Sequence, residues 1–310
     1  MEPLLCGDRI LPFGRHTYIM GILNVTGDSF SGDGLLGQLD AAVERGRRFV
    51  ADGADILDVG GESARADVRT LAPDEEAARV VPVIERLVRE VDAVISIDSY
   101  KEAVVEAAVA AGARLINDIG GFKLGAGTAR VAARQAVPLV INYTYERPKI
   151  RPSAPPQYAD LIGEHLAFFR ERIATAVALG VPRSQLVLDP GIAFGKSHDE
   201  DLTVLRRLSE FRALGLPLLV AASRKHFIGS VLGLPPEERV EGTAAVTALA
   251  IANGAEIVRV HDVRAMARVA RMADALVRAR PGDFAPGAES WPWAASATIV
   301  PGTTIARRGF

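Results

Sequence analysis

The chain has 310 residues, a formal net charge of −2, 49% apolar residues and 24% charged residues. It can bury a full hydrophobic core, and it lacks the basic runs with interleaved aromatic residues that would favour binding to a nucleic-acid backbone. Cys6 has no second cysteine to pair with, no signal-peptide pattern opens the chain, and apolar runs are shorter than the roughly 20 residues that cross a bilayer, so we expect a cytoplasmic protein without nucleic-acid or membrane partners.

Apolar runs predict the strands in chain order. They lie at residues 18–24, within 53–58, at 94–98, within 112–117, at 139–143, 186–189 and 218–221, and within 254–259. Several copies open with Gly-Ala, where the glycine can end a helix in the left-handed conformation before a strand that is covered on both faces. Apolar residues three and four apart predict the helices between them, for instance over residues 77–88 with Asp74 as the N-cap.

This alternation predicts the fold class, an α/β chain folded as a single-domain (β/α)8 TIM barrel. Repeated strand-helix units over about 250 residues are typical of the closed barrel, whereas an open doubly wound sheet usually has fewer strands and a Gly-rich first turn. We predict an N-terminal cap or hairpin at residues 1–17, the barrel at 18–280 and a C-terminal extension at 281–310, rich in Pro, Gly, Ala and Ser.

Polar residues close almost every predicted strand. Any one of them could be a helix cap or a turn residue. In a parallel barrel, however, all these ends open on one face, and so many buried polar groups there require a polar ligand. The set comprises Asn24, Asp58, Asp98, Asn117, Asp189, Arg259 and His261, with Ser223, Arg224 and Lys225 after the seventh strand.

The mixture of these groups indicates the chemistry of the ligand. Two carboxylates and an asparagine can bind a flat heterocycle that carries an amino group, a ring N–H and a carbonyl, as a pterin does. Lysine, arginine, histidine and asparagine suit a phosphate or pyrophosphate, with Mg²⁺ held mainly by the phosphates. No Cys/His cluster indicates a zinc or iron site.

Seven strings, in order, resemble the dihydropteroate synthase family of pterin-binding enzymes. They lie at residues 20–26, 28–31, 58–63, 95–101, 116–119, 188–196 and 223–225. The resemblance implies a transferase of folate biosynthesis that condenses 6-hydroxymethyl-7,8-dihydropterin pyrophosphate with p-aminobenzoate, requires Mg²⁺ and forms a homodimer.

The resemblance also implies roles for individual residues. The pterin would be bound by Asp98, Asn117, Asp189 and Lys225, and the pyrophosphate by Asn24, Arg65, Arg259 and His261. Asn24 would be the protein ligand of Mg²⁺. The arylamine pocket would contain Arg65, Phe194, Lys225 and His226, and the catalytic residues would be Asp98, Lys225, Arg259 and His261. The loops at 26–34 and 63–68 would close over the site.

The sequence departs from the family pattern near the second substrate. Gly27, Ala64 and Ala66 replace residues that are usually proline, threonine and proline, and residues 142–144 read Asn-Tyr-Thr where Met-His-Met is common. We therefore expect pterin binding to be retained, while the arylamine could differ from p-aminobenzoate.

Two alternative functions would also use a pterin site with residues such as Asp98, Asn117 and Asp189. One is a non-catalytic or altered-specificity pterin-binding paralogue. The other is a methyltetrahydrofolate:corrinoid methyltransferase, which would not need the 223–225 string or the anion pocket of Arg259 and His261.

Overall fold

The structure is a computed structural model that describes residues 1–26, 38–63, 68–148, 156–279, 283 and 300–301. Its strands are β1 (Leu4–Cys6), β2 (Arg9–Leu11), β3 (Tyr18–Asn24), β4 (Ile56–Gly60), β5 (Val94–Asp98), β6 (Leu115–Asp118), β7 (Leu139–Asn142), β8 (Leu186–Asp189), β9 (Leu218–Val220), β10 (Ala255–Val260) and β11 (Val300–Pro301). Its helices are α1 (Leu39–Ala51), α2 (Pro73–Glu90), α3 (Glu102–Ala110), α4 (Gly127–Gln135), α5 (Leu161–Ala178), α6 (His198–Arg206), α7 (His226–Leu232), α8 (Val240–Ala252) and α9 (Val263–Val277).

Strands β3 to β10 form a closed parallel barrel. Each pairs with the next in chain order, and β10 pairs back onto β3, so the predicted (β/α)8 barrel is confirmed. The glycines of the repeated units, Gly53, Gly112 and Gly254, have φ values of 105°, 114° and 100°. A residue with a Cβ rarely adopts such values, which explains the glycine in each of these three helix-to-strand turns.

Helix α2 differs from the prediction at its start. It begins at Pro73 after Ala72, so the predicted N-cap at Asp74 is wrong. Proline is favoured at the first helical position because its fixed φ suits a helix and the missing N–H would lack an intrahelical partner there. Asp74 instead lies within an acidic first turn, where negative charge interacts favourably with the helix dipole.

The barrel strands alternate between two apolar clusters. One set packs against the surrounding helices and includes Ile19, Leu57, Ile95, Ile116, Ile141 and Leu188. The intervening residues form a separate inner cluster that includes Ile56, Val94, Leu115, Val140, Val187 and Ile257. Because side chains alternate along a strand, the next inward positions toward the carboxyl ends are Asp58, Ser96, Asn117, Asn142, Asp189 and Arg259.

The antiparallel hairpin of β1 and β2 covers the opposite end of the barrel. Leu4, Cys6 and Leu11 belong to the inner cluster. Gln185, just before β8, fixes the hairpin because its Oε1 accepts the N–H of Leu5 at 2.7 Å and its Nε2 donates to the carbonyl of Pro3 at 3.2 Å. Most of the C-terminal extension lies outside the described residues, apart from Asp283 and from β11, whose backbone pairs with β2.

A polar cluster joins α9 to the segment that enters the barrel. Asp274 accepts the backbone N–H of Thr17 at 2.7 Å and the Thr17 hydroxyl at 2.8 Å, and it pairs with Arg278 at 2.8 Å. Within the part of the chain that the structure describes, no helix is both long enough and apolar enough to cross a membrane.

Truncation of two adjacent hairpin residues tests the contribution of this cap to stability. Leu4 is fully buried, whereas Leu5 is 39% exposed. We expect Leu4→Ala to lower the free energy of unfolding by about 2–5 kcal/mol, because it leaves a cavity in the inner cluster. Leu5→Ala should cost less than about 1 kcal/mol. Urea denaturation measures both, and equal losses would show that the hairpin does not seal the core.

Candidate functional site

Inward-facing residues at the carboxyl ends of the strands form a charged network. Arg259 on β10 donates through Nε to Asp58 Oδ2 at 2.6 Å and through Nη2 to Asp98 Oδ2 at 2.6 Å. Asn117 Nδ2 also donates to Asp58 Oδ2, at 2.9 Å. The fold therefore brings together residues of the predicted pterin set, Asp98 and Asn117, with Arg259 of the predicted anion set.

Asp58 is the centre of this network, although the sequence assigned it no role beyond a polar strand end. Its side chain is fully buried, and its Oδ1 has no hydrogen-bond partner among the described residues. Strand β3 separates β4 from β10 in the barrel, so the pairing with Arg259 crosses the interior and cannot be read from sequence spacing. Its inward position on β4 was the available signal.

The network has a shortage of positive charge. Burial raises the pKa of Asp98 to about 7, Arg259 opposes the rise, and the Asp58 carboxylate adds to it. Burial also raises the pKa of Asp189, while the Gly191 N–H and Lys225 stabilise its charged form. Because the pKa of Asp98 lies near neutral pH, charge that develops on a ligand can change the ionisation of this side chain.

Lys225 and the segment after β8 form the opposite wall. Lys225 Nζ donates to the carbonyl of Ile192 at 2.8 Å and lies 4.7 Å from the centre of the Phe194 ring. Burial lowers the pKa of Lys225 to about 8, against the attraction of Asp189. Asp189 Oδ1 accepts the N–H of Gly191 at 2.8 Å, which fixes its carboxylate beside this segment.

Lys196, at the end of the same segment, is a buried cation that the sequence analysis did not single out. Its side chain is 0% exposed and lies 4.0 Å from Asp201, while Nζ donates to the carbonyls of Gly191 and, at 3.3 Å, Pro190. Asp201 in turn accepts the N–H of Ala193 at 2.9 Å. Ala193 has a φ of 66°, so the ion pair holds a strained backbone that presents Ile192 and Phe194 to Lys225.

The remaining predicted residues lie around this centre. His261 Nδ1 is 3.0 Å from the Ser223 hydroxyl, and a Cβ on Gly60 would lie 3.8 Å from Asn24 Oδ1 and 3.6 Å from Asp98 Oδ2. His226 is exposed at the start of α7. Arg65 lies outside the described residues, as do Gly27, Ala64, Ala66 and most of the predicted loops at 26–34 and 63–68.

A second buried ion cluster adjoins Asp98 and was also missed by the sequence analysis. Lys101 Nζ donates to Glu62 at 2.7 Å, to Glu76 at 2.6 Å and to the carbonyl of Leu71 at 2.9 Å. A small cavity there is lined by Glu62, Ser63, Glu76, Asp98, Ser99, Tyr100 and Ile119. Within the described ranges, no group of three or more His, Cys, Asp and Glu side chains could hold a metal ion.

Replacement of Asp98 by Asn tests the electrostatic cost of the network. The folded pKa of about 7 exceeds the ordinary 3.8, so the folded protein retains this proton more tightly than the unfolded chain does. Ionisation of Asp98 therefore destabilises the parent as the pH rises from the unfolded pKa of 3.8 to the folded pKa of about 7. The asparagine side chain does not ionise, so we expect the free energy of unfolding of Asp98→Asn, relative to that of the parent, to increase over this pH range and to level off above it.

Urea denaturation at a series of pH values measures this difference. Asp40→Asn is the control, because that side chain is 95% exposed and its difference from the parent should stay nearly constant. A relative stability of Asp98→Asn that falls as the pH rises would contradict the prediction.

Similarity to known proteins identifies the family. Residues 20–261 match the family described as pterin binding enzyme. The chain is 46% identical over 267 residues to the dihydropteroate synthase of Bacillus subtilis. The matched region covers 86% of this chain and 91% of that protein.

Solved structures agree with this similarity. The dihydropteroate synthase of Clostridium difficile, determined in the presence of pteroic acid, has a TM-score of 0.80 and 42% identity and covers 87% of this chain and 100% of its own. The Xanthomonas albilineans enzyme with 4-aminobenzoic acid has a TM-score of 0.81 and 39% identity. The match covers 90% of this chain and 99% of that one. The chain therefore belongs to the pterin-binding enzyme family, among the dihydropteroate synthases.

Proposed function

We propose that the protein is a dihydropteroate synthase. It condenses 6-hydroxymethyl-7,8-dihydropterin pyrophosphate with p-aminobenzoate, or a related arylamine, to give 7,8-dihydropteroate and pyrophosphate. The observation that carries this proposal is the convergence of Asp58, Asp98, Asn117 and Arg259 inside the barrel mouth. The length and identity of the match to dihydropteroate synthases support it and give no support to a corrinoid methyltransferase.

Asp98, Asn117, Asp189 and Lys225 bind the pterin in this proposal. Asn117 Oδ1 is buried without a hydrogen-bond partner in the described part of the chain, so it can accept an N–H of the ring. Asp189 keeps acceptor capacity beyond the bond from Gly191. Lys225, with a pKa of about 8, is mostly protonated at neutral pH and can donate to the ring carbonyl.

Arg259, His261 and Asn24 bind the pyrophosphate and its Mg²⁺. Asn24 offers an amide oxygen, a suitable ligand for a hard cation, close to Asp98. Mg²⁺ commonly takes most of its ligands from phosphates and water, so a single protein oxygen fits this mode of binding. When bound, the ion would supply neutralisation of the phosphate charge. Arg65 would complete this set.

The reaction is a substitution at the exocyclic methylene of the pterin. The C–O bond breaks with its electron pair leaving on pyrophosphate, and the amine nitrogen forms the new C–N bond and loses a proton. Arg259 and His261 stabilise the departing anion, while the Asp98 carboxylate stabilises positive charge on the ring. Phe194, Lys225 and His226 would contribute to the pocket for the arylamine, and the family resemblance adds Arg65, which lies outside the described residues.

Pyrophosphate release tests the function. We expect turnover with the pterin pyrophosphate, p-aminobenzoate and Mg²⁺, and its loss when Mg²⁺ is chelated. Asp189→Asn should weaken pterin binding by roughly 2–5 kcal/mol, because a charge-assisted acceptor is lost. Asp199→Asn, on the exposed first turn of α6, is the matched control and should leave both measurements unchanged.

A panel of arylamines separates the possible second substrates. Faster turnover with another arylamine would assign altered specificity. Pterin binding without turnover of any arylamine would indicate the non-catalytic paralogue and overturn the proposed activity.

We also infer that the protein is a cytoplasmic homodimer, with a face made by α7, α8 and α9. Large apolar side chains are exposed on these helices, of which α8 contacts both α7 and α9, and exposed apolar surface is typical of interfaces. The face includes Val231 (66% exposed), Leu249 (64%), Met272 (59%) and Leu276 (74%).

Charge introduced into this face tests the dimer. We expect the parent to have twice the chain mass of 33.0 kDa by light scattering, and the double variant Leu249→Glu/Leu276→Glu to have the monomer mass. Leu124→Glu is the control, since Leu124 is 52% exposed outside α7, α8 and α9. A monomeric parent, or a double variant that stays dimeric, would contradict the inference.

A further inference from the structure

Asn142, the last residue of β7, has an unusual environment. It lies on the inward side of the strand, its Cα pairs in register with that of Asp189 on β8, and it is 1% exposed. Its Nδ2 donates to the carbonyls of Ile119 at 3.1 Å and Tyr143 at 2.9 Å. These two acceptors fix the orientation of the amide, because only its nitrogen can donate to them.

The amide oxygen of Asn142 takes part in neither of these hydrogen bonds. Asn142 Oδ1 is buried and has no hydrogen-bond partner among the residues that the structure describes. Buried polar atoms are nearly always paired, so each exception calls for a physical reason. Asn117 Oδ1, an inward atom on the neighbouring strand β6, is in the same state within the proposed pterin site. Two oriented acceptors therefore lie on the inward side of adjacent strands.

The position of Asn142 beside Asp189 indicates which ligand group it can bind. Asp189 Oδ1 is 2.8 Å from the N–H nitrogen of Gly191, and Asn142 Oδ1 is 3.3 Å from the position that a Cβ of Gly191 would occupy. Both side chains thus approach the same residue from adjacent strands, which lie about 4.8 Å apart. One amino group has two protons and can bridge two oxygens at that spacing with bonds of about 2.9 Å.

We propose that Asn142 is a specificity-determining residue that accepts, through Oδ1, a hydrogen bond from the exocyclic 2-amino group of the pterin, whose other proton is bound by Asp189. The inference rests on the proposed function of the same site and adds a recognition contact to it. Asn142 then selects rings that carry an amino group between two ring nitrogens. A ring without this group leaves the buried oxygen unpaired and binds more weakly.

Calorimetric titration with two probes tests this contact. The probes are 6-hydroxymethylpterin and its analogue with hydrogen in place of the 2-amino group. We expect the parent to prefer the amino compound, and Asn142→Leu to lower the preference by about tenfold, the contribution of one hydrogen bond. Affinity for the analogue should change less than about threefold, because the analogue never makes the bond.

A matched control separates recognition from general damage to the barrel. Thr128 is buried and donates to Asp118 Oδ2 at 2.6 Å. Thr128→Val therefore also removes a buried hydrogen bond, but Thr128 lies on α4 and not on the inward side of a barrel strand. It should leave the preference between the two probes unchanged. Asn142→Ser, whose hydroxyl is too short to reach, gives the same test in a smaller side chain if Asn142→Leu fails to fold.

The outcomes distinguish the two proposals. A parent that binds neither probe would overturn the proposed function. A parent that binds and prefers the amino compound, with the full preference retained in Asn142→Leu or Asn142→Ser, would overturn the role of Asn142 alone. An equal loss of affinity for both probes would also overturn it, because that result marks a purely structural residue.

Discussion

The pairing of Arg259 with Asp58 and Asp98 is the interaction on which the barrel mouth depends. A buried carboxylate is costly unless it is paired, and here the Arg259 guanidinium donates to two carboxylates, Asp58 and Asp98, at 2.6 Å each. Burial raises the pKa of Asp98 to about 7, and the Asp58 carboxylate, which shares Arg259 with it, adds to the rise. A pyrophosphate bound by Arg259 would bring further negative charge, which gives a physical reason for the proposed Mg²⁺ beside Asn24.

The same strands build both the core and the site. Their inner side is apolar at Ile56, Val94 and Val187, and the next inward residues on these three strands, Asp58, Ser96 and Asp189, are polar. Among the residues that the structure describes, the buried atoms without hydrogen-bond partners include Asp58 Oδ1, Ser96 Oγ, Asn117 Oδ1 and Asn142 Oδ1, all on this inward side. Unpaired polar atoms cost stability, so their presence on the inward side of several strands is what a binding site requires and a purely structural core would avoid.

The wall formed by Lys225 and the segment after β8 is held by a different mechanism. Lys196 and Asp201 are both buried, and each bonds to the backbone of the segment between them: Lys196 to the Gly191 carbonyl and Asp201 to the Ala193 N–H. This fixes a backbone with positive φ at both Gly191 and Ala193. The segment then presents the Ile192 carbonyl to Lys225, so the ion pair contributes to the site through the geometry of its backbone.

The sequence by itself determined the barrel and most of its polar mouth, because short apolar runs, the helical spacing between them and the Gly-Ala turns are local signals that survive folding. It placed Asp98, Asn117 and Arg259 at strand ends without any coordinates. Only the tertiary structure decided that Asp58 is their shared partner, that Lys196 supports the wall and that Asn142 leaves an acceptor unpaired. Those facts depend on which strands meet across the interior and where each side chain finds its partner, and residue order along the chain does not specify such distances.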